Sequence, residues 1–198
     1  MTALWIAVVA LVALWVIAVA AGFLLLAMGR LNLDLGWGRS IHPLGPIEVR
    51  IDAPRELVFE IIEAPYVGRA PRGSGIEVLA KSDSLVVAAH FTKLHFYTAR
   101  TVEIVEFKPP GEVGFRHLSG PVPYAVEQFA VTEAAAGTEL RYTGEIGIDF
   151  FILGRIAGRY WARPQWERTV REHLDDLKLR AEQRTAARRS RDARVEHG

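Results

Sequence analysis

The sequence predicts an α+β protein: a curved antiparallel sheet of about seven strands wrapped on a long C-terminal helix, preceded by one N-terminal transmembrane helix. Three observations predict it. Ala3 to Met28 contains no charged residue. Between Ile76 and Ile148, segments of alternating polarity are separated only by short turn-rich stretches. Near the end, TVREHLDDLKLRAE places Val170, Leu174, Leu177 and Ala181 three or four apart, the spacing of one helix face. A run of strands followed by a segregated helix is the pattern of an α+β fold.

The first element is ALWIAVVALVALWVIAVAAGFLLLAM. About 20 apolar residues cross the hydrocarbon core of a bilayer as a helix. Ala18-Val19-Ala20 resembles a signal-peptidase site, but no Lys or Arg precedes the apolar run, and cleavage there would leave AGFLLLAM at the new end. Residues 1–29 therefore read as an uncleaved anchor. Arg30 and Arg39 follow the span and no charged residue precedes it, so positive-inside bias predicts a single-pass protein with a cytoplasmic domain. Two function classes lose support at this level. A net charge of +1 does not suit a dedicated nucleic-acid binder. The lack of cysteine removes thiolate nucleophiles, disulfides and Cys-based metal sites.

Residues 30–45 read as a juxtamembrane linker, because Gly36, Gly38, Pro43 and Gly45 break regular structure. PIEVRID alternates Ile47, Val49 and Ile51 with charge, a half-buried strand. APRELVFEIIEAP follows as a helix, with Pro54 at its first position, a stripe of Leu57, Val58, Ile61 and Ile62, and Pro65 as its stop. Six strands come next: Ile76–Lys81, Leu85–Thr92, His95–Phe107, Val113–Leu118, Tyr124–Glu133 and Thr138–Ile148. Their short separators predict antiparallel hairpins. A sheet with one long helix must curve around it, so the Val170–Ala181 stripe is expected on the concave face. The stripe is read upstream through Leu153, Ile156, Tyr160 and Trp161, with Pro164 kinking or restarting the helix. Residues 46–182 form the domain, and 183–198 a basic tail read as disordered.

Three of these stretches carry a likeness. IDAPRELVFEIIEAP, VEQFAVTEAAAGTELRYTGEI and HLDDLKLRAE resemble the opening strand and helix, the late hairpin and the closing helix of the helix-grip superfamily. That superfamily, called SRPBCC, includes START domains, Bet v 1 allergens and polyketide cyclase/dehydrase-like proteins. The resemblance implies a deep, mostly apolar cavity between sheet and closing helix. Members hold lipids, sterols, polyketides or hormones there, and a minority catalyse cyclisation or dehydration.

Alternation nominates lining residues: Val78, Val87 and Phe91 from early strands; Phe115 and His117, on one face; and Tyr142 and Ile146 from the last strand. Tyr160 and Trp161 are added from the helix. His117 is the candidate acid or base. Tyr124, Tyr142 and Glu127 are candidates for positioning a hydroxylated ligand. His90 and His95 face each other across a hairpin but lack a third residue with metal-ligand spacing, and neither a metal nor a cofactor is expected. Ser74 lacks the spacing of a nucleophile elbow, and the glycines of GRIAG lack that of a phosphate loop. No catalytic constellation is legible. The leading expectation is a membrane-anchored binding module for an apolar small molecule, lipid or isoprenoid-like. The alternatives are a cyclase/dehydrase-like enzyme using the same cavity, and a membrane-tethered adaptor without a ligand.

Overall fold

A computed structural model describes the chain except residues 1, 29, 32, 69–74, 95–96 and 196–198. Ser74 and His95 lie outside the described residues. Helix α1 runs Thr2–Ala27. Within it, Ala3–Leu26 is 24 residues long and apolar enough to cross a membrane. At the helical rise this is roughly 36 Å, enough for a hydrocarbon core of about 30 Å.

The sheet has seven strands: β1 Ser40–Ile51, β2 Ile76–Lys81, β3 Leu85–Leu94, β4 Tyr97–Lys108, β5 Glu112–Ser119, β6 Tyr124–Ala134 and β7 Gly137–Ile148. Their order is β1-β7-β6-β5-β4-β3-β2, every neighbouring pair antiparallel. The consecutive hairpins follow from short turns. The β6–β7 turn shows why one of them needs glycine. Gly137 has φ +109°, and a Cβ there would stand 2.2 Å from the Ile51 carbonyl oxygen.

β1 begins at Ser40, inside the stretch read as linker, and bulges between Leu44 and Ile47. The chain just before β1 is held at the far end of β7. The Asp149 side chain is almost fully buried, and its Oδ2 accepts hydrogen bonds from the Leu35 and Gly36 amides, both at 3.0 Å. Its Oδ1 accepts from Arg39 Nε at 2.8 Å, and Arg39 also pairs with Asp34. A buried carboxylate needs such donors, and these tie the chain leaving α1 to the domain.

Helix α2, Arg55–Val67, buries Leu57, Val58, Phe59, Ile61, Ile62 and Tyr66. Pro54 is its N-cap rather than its first turn, and Pro65 sits in the last turn instead of ending the helix. Pro65 lacks the amide that would donate to the carbonyl four residues back, and α2 ends two residues later at Val67.

After β7 the chain turns through Phe150 and Phe151, both with positive φ (77° and 51°), their amides donating to the Trp37 and Gly38 carbonyls. Helix α3 (Phe151–Ala157), a π turn (Gly158–Ala162) and helix α4 (Arg163–Val195) then follow without a break. Pro164 therefore does not interrupt the helix. It lies just after the π turn, whose wider ring relieves the clash a proline makes with the preceding turn.

Val170, Leu174, Leu177 and Ala181 are buried on α4, as their spacing predicts. Asp176 and Arg180 form the expected i,i+4 pair at 2.6 Å. The basic stretch beyond residue 182 is not a loose tail. α4 continues through it, Thr185 is buried, Arg184 and Arg188 reach Glu60, and Arg189 reaches Asp52.

The upstream stripe is the clear correction. Leu153, Ile156, Tyr160 and Trp161 are exposed, whereas Gly154, Gly158 and Ala162 are buried. The backbone lies so close to β1 and β7 that only small residues fit. A Cβ on Gly154 would stand 2.0 Å from the Asp149 carbonyl oxygen, and one on Gly158 would stand 2.1 Å from His42 Nε2.

Candidate functional site

The concave face is set by strand parity. On β3, Val86, Ala88 and His90 point toward the helices, and Leu85, Val87 and Phe91 point away. Val87 and Phe91 are thus not lining residues, and Phe91 is 38% exposed. Val78 packs half-buried against the core on β2. Phe115, Tyr142 and Ile146 are buried on the inner face, as expected from alternation. His117 joins them, with a side chain 1% exposed. Tyr160 and Trp161 lie outside the grip altogether. Tyr124 faces outward too, donating to Glu145 at 2.6 Å under the Arg39 guanidinium.

Register brings a polar cluster together on β3, β4 and β5. Glu103 on β4 is opposite His117 on β5 and Ala88 on β3, and His90 is two residues along. His90 Nδ1 lies 3.1 Å from Glu103 Oε2, and His90 Nε2 lies 3.3 Å from the Tyr66 hydroxyl of α2. Burial, and then the charges of Glu103 and Glu127, push the Tyr66 phenol far up. It therefore keeps a proton to donate to His90 Nε2, which leaves Nδ1 as the nitrogen carrying a proton toward Glu103. Burial alone would raise Glu103, but His117 and His90 outweigh it and hold the carboxyl below its ordinary value. His117 Nδ1 is 3.9 Å from Glu103 Oε1, close enough for an ion pair but too far for a hydrogen bond, and neither ring nitrogen has a hydrogen-bond partner among the described residues.

A second carboxylate stands across Phe115. Glu127 on β6 accepts at Oε1 from the Tyr142 hydroxyl at 2.5 Å and from Trp166 Nε1 of α4 at 2.8 Å. Burial, followed by the charge of Glu103, pushes it up to about 7. The two carboxylates are thus driven in opposite directions, which is how one site comes to hold a proton donor and an anion together. Among the described residues, no group of three or more His, Asp or Glu is arranged to hold a metal ion.

Between these groups the interior is crowded with rings rather than open. Contacts run Phe59–Phe107, Phe107–Tyr66, Tyr66–Phe115, Phe115–Phe129 and Phe129–Tyr142, with centroids 5.2 to 6.4 Å apart. Of two surface hollows, of about 380 and 420 Å³, one lies around Gly114 on the sheet, with Phe115 and Glu127 among its lining residues, and the other at the start of α2. Aromatic side chains thus occupy the space between sheet and helix where the apolar cavity was expected.

Glu103, Tyr66 and Trp166 went unnoticed in the sequence. A signal existed for one of them. Glu103 has the same parity as Val105 and Phe107, both buried, so alternation alone turns it inward.

No protein-family model matches this chain, and no curated protein does. Solved structures do. The di-domain aromatase/cyclase BexL is 19% identical, with a TM-score of 0.60 over 73% of this chain and 50% of that one. A protein of Thermus thermophilus is 18% identical, with a TM-score of 0.59 over 71% of this chain and 97% of that one. The Streptomyces aromatase/cyclase Zhui is 19% identical, with a TM-score of 0.51 over 78% of this chain and 98% of that one. This chain spans only about half the length of the di-domain protein. At such identities the likeness shows the fold. The chain has a helix-grip fold, as the aromatase/cyclases BexL and Zhui do.

Proposed function

We propose that this protein is a membrane-anchored binding module for an apolar small molecule that carries one hydrogen-bonding group. The observation that carries the reading is His117: a side chain 1% exposed whose two ring nitrogens have no hydrogen-bond partner among the described residues. Buried polar groups are nearly always hydrogen-bonded, so an imidazole whose one polar contact is the ion pair with Glu103 suits a ligand hydroxyl or carbonyl. Phe115, Phe129 and Tyr142 supply the apolar wall, and the ligand enters by displacing rings from their mutual contacts. The α1 span gives the ligand a source, since it holds the grip beside a lipid phase. The cytoplasmic side is favoured by Arg30 and Arg39.

The test compares two probes on the purified full chain in detergent, a fluorescent long-chain alcohol and the matching alkane. The alcohol should bind, the alkane much less, and His117→Leu should abolish the difference. If neither probe binds and no small molecule co-purifies in native mass spectrometry, the adaptor reading replaces this one.

The oppositely shifted carboxylates favour one second reading, an acid–base enzyme of the cyclase/dehydrase kind. Glu127 would donate a proton and Glu103, through His90 or His117, would accept one. Turnover of a polyketide-like substrate that vanishes in Glu127→Gln while binding persists would establish it.

A further inference from the structure

The surface of α3 and the π turn is inverted for a protein in water. Its small residues face the domain, and Ile152, Leu153, Ile156, Tyr160 and Trp161 face out, each more than half exposed. Ile152, Leu153, Ile156 and Tyr160 fall within about a third of the helix circumference at 3.6 residues per turn, and Arg155 and Arg159 flank them on one side. Contiguous apolar surface of this kind marks an interaction site. We infer that this face lies in the lipid interface as a second membrane contact, seating the domain flat against the bilayer that α1 crosses.

Three relationships select lipid as the occupant. First, the patch is continuous with the span: Phe23, near the C-terminal end of α1, meets Trp161 with ring centroids 6.0 Å apart. Second, Trp37, in the segment leaving α1, meets Phe151 edge-on at 5.4 Å, so aromatic rings bracket the level at which the span ends. Tyr and Trp favour that level because an apolar ring and a polar edge are both satisfied there. Third, the flanking charges are Arg155 and Arg159, the sign that anionic headgroups attract. The Asp149 clamp on Leu35, Gly36 and Arg39 fixes the chain to the domain from Leu35, eight residues beyond Ala27, where α1 ends.

The consequence reaches the polar cluster. Ser40, Ile148, Ser119, Tyr124, Leu94 and Tyr97 mark one end of the sheet, since the pairings Ser40–Ile148, Tyr124–Gly147 and Leu94–Tyr97 place them together. α3 leaves from that end, and His117 lies two residues from the end of β5. The face docked on lipid is thus at the His117 end of the grip. The inference rests on the anchored binding module proposed above and adds where its ligand would enter.

The chain has no cysteine, so each introduced cysteine carries a label alone. Full-length protein with Leu153→Cys, Ile156→Cys, Val12→Cys or Ser190→Cys would carry a nitrobenzoxadiazole label in vesicles of phosphatidylcholine and phosphatidylglycerol. Leu153 and Ile156 labels should be quenched several-fold more than the Ser190 label by lipids with a nitroxide near the ester carbonyls. The Val12 label should respond to nitroxides deep in the chains. Quenching at Val12 without quenching at Leu153 and Ile156 overturns the docking and leaves the anchor standing. Absence of quenching at all of them overturns both. Labels shielded from lipid nitroxides and from aqueous iodide alike, with Leu153→Cys chains crosslinking to each other, would assign the face to a second copy and overturn the proposal.

Discussion

The Tyr142 hydroxyl donates to Glu127 Oε1 at 2.5 Å, joining β7 to β6 on the concave face, and Trp166 of α4 donates to the same oxygen. The pair closes the grip: sheet and helix share one buried acceptor. That acceptor is raised from 4.5 to about 7, chiefly by burial. The native state therefore binds a proton that the unfolded chain releases throughout that interval. This contribution to stability is complete below about pH 4.5, falls by up to about 1.4 kcal/mol per pH unit through the interval, and levels off above pH 7. Glu127→Gln keeps an oxygen for Tyr142 and Trp166 without the ionisation, so the wild-type urea midpoint should fall relative to that of Glu127→Gln as pH rises across the same range. A difference between the two curves that stays constant or grows in favour of wild type would contradict the assignment.

His117 offers a stability test independent of any ligand. An unsatisfied buried polar group costs about 1–3 kcal/mol. His117→Leu removes the two ring nitrogens that lack a hydrogen-bond partner among the described residues, at modest change of volume. Because His117 also holds the buried Glu103 carboxyl below its ordinary value, the comparison is made with Glu103→Gln in place: ligand-free protein carrying both substitutions should melt at a higher temperature than Glu103→Gln alone, while probe binding is lost. Lower stability of the double variant would mean that the ring nitrogens are satisfied in the folded protein.

Much of this fold is legible in the chain because its elements obey single periods. β1 to β7 alternate, and the α4 stripe steps by three and four until Ala181. The site was legible only where one parity is clearly apolar, as in Val113–Phe115–His117. On β3 both parities are apolar, LVVAAHF, and the polar His90 is the inward residue because Glu103 and Tyr66 receive it. Alternation by itself then selects Val87 and Phe91, the wrong face. On α3 the periodic apolar residues are real, but the glycines decide which side packs.

Asp149 should carry more of the architecture than its place at a strand end suggests. Its carboxylate receives four hydrogen bonds from Leu35, Gly36 and Arg39, and Arg39, followed by those amides, holds it below its ordinary value. Removing one member of a buried ion pair costs about 3–5 kcal/mol; Arg39 remains partly wet, so the lower end applies here. Asp149→Ala should lower the melting temperature and speed trypsin cleavage at Arg30 and Arg39. Because its folded value is depressed, the wild-type contribution is present at neutral pH and fades as pH falls through that lowered value. Unchanged cleavage would remove the clamp.

The α4 face makes a simple contrast. Leu174 is fully buried, and its neighbour Asp175 is exposed. Leu174→Ala should cost about 2–5 kcal/mol as a core truncation, and Asp175→Ala less than about 0.5 kcal/mol. Equal denaturation midpoints for the two variants would reject the assigned face.

On α3 the usual ranking of residues should reverse. In most helices a large apolar residue is sensitive to truncation and a glycine is improved by alanine, by up to about 1 kcal/mol. Here the large residue, Leu153, is 74% exposed, and the glycine beside it is buried. Leu153→Ala should leave unfolding in detergent unchanged to within about 0.5 kcal/mol. Gly154→Ala should destabilise, because its Cβ would stand 2.0 Å from one backbone carbonyl oxygen and 2.7 Å from another, and neither belongs to a flexible side chain that can swing away. Overpacking of this kind costs about 1–3 kcal/mol or more. Gly158→Ala should be milder, since the nearest atom, 2.1 Å away, is on the imidazole of His42, which can turn. The three variants, ranked by denaturation midpoint, should fall in the order Leu153→Ala, Gly158→Ala, Gly154→Ala from most to least stable. A Gly154→Ala protein as stable as wild type would show that the helix does not rest on its glycine face, and Leu153 would then have to be the buried residue.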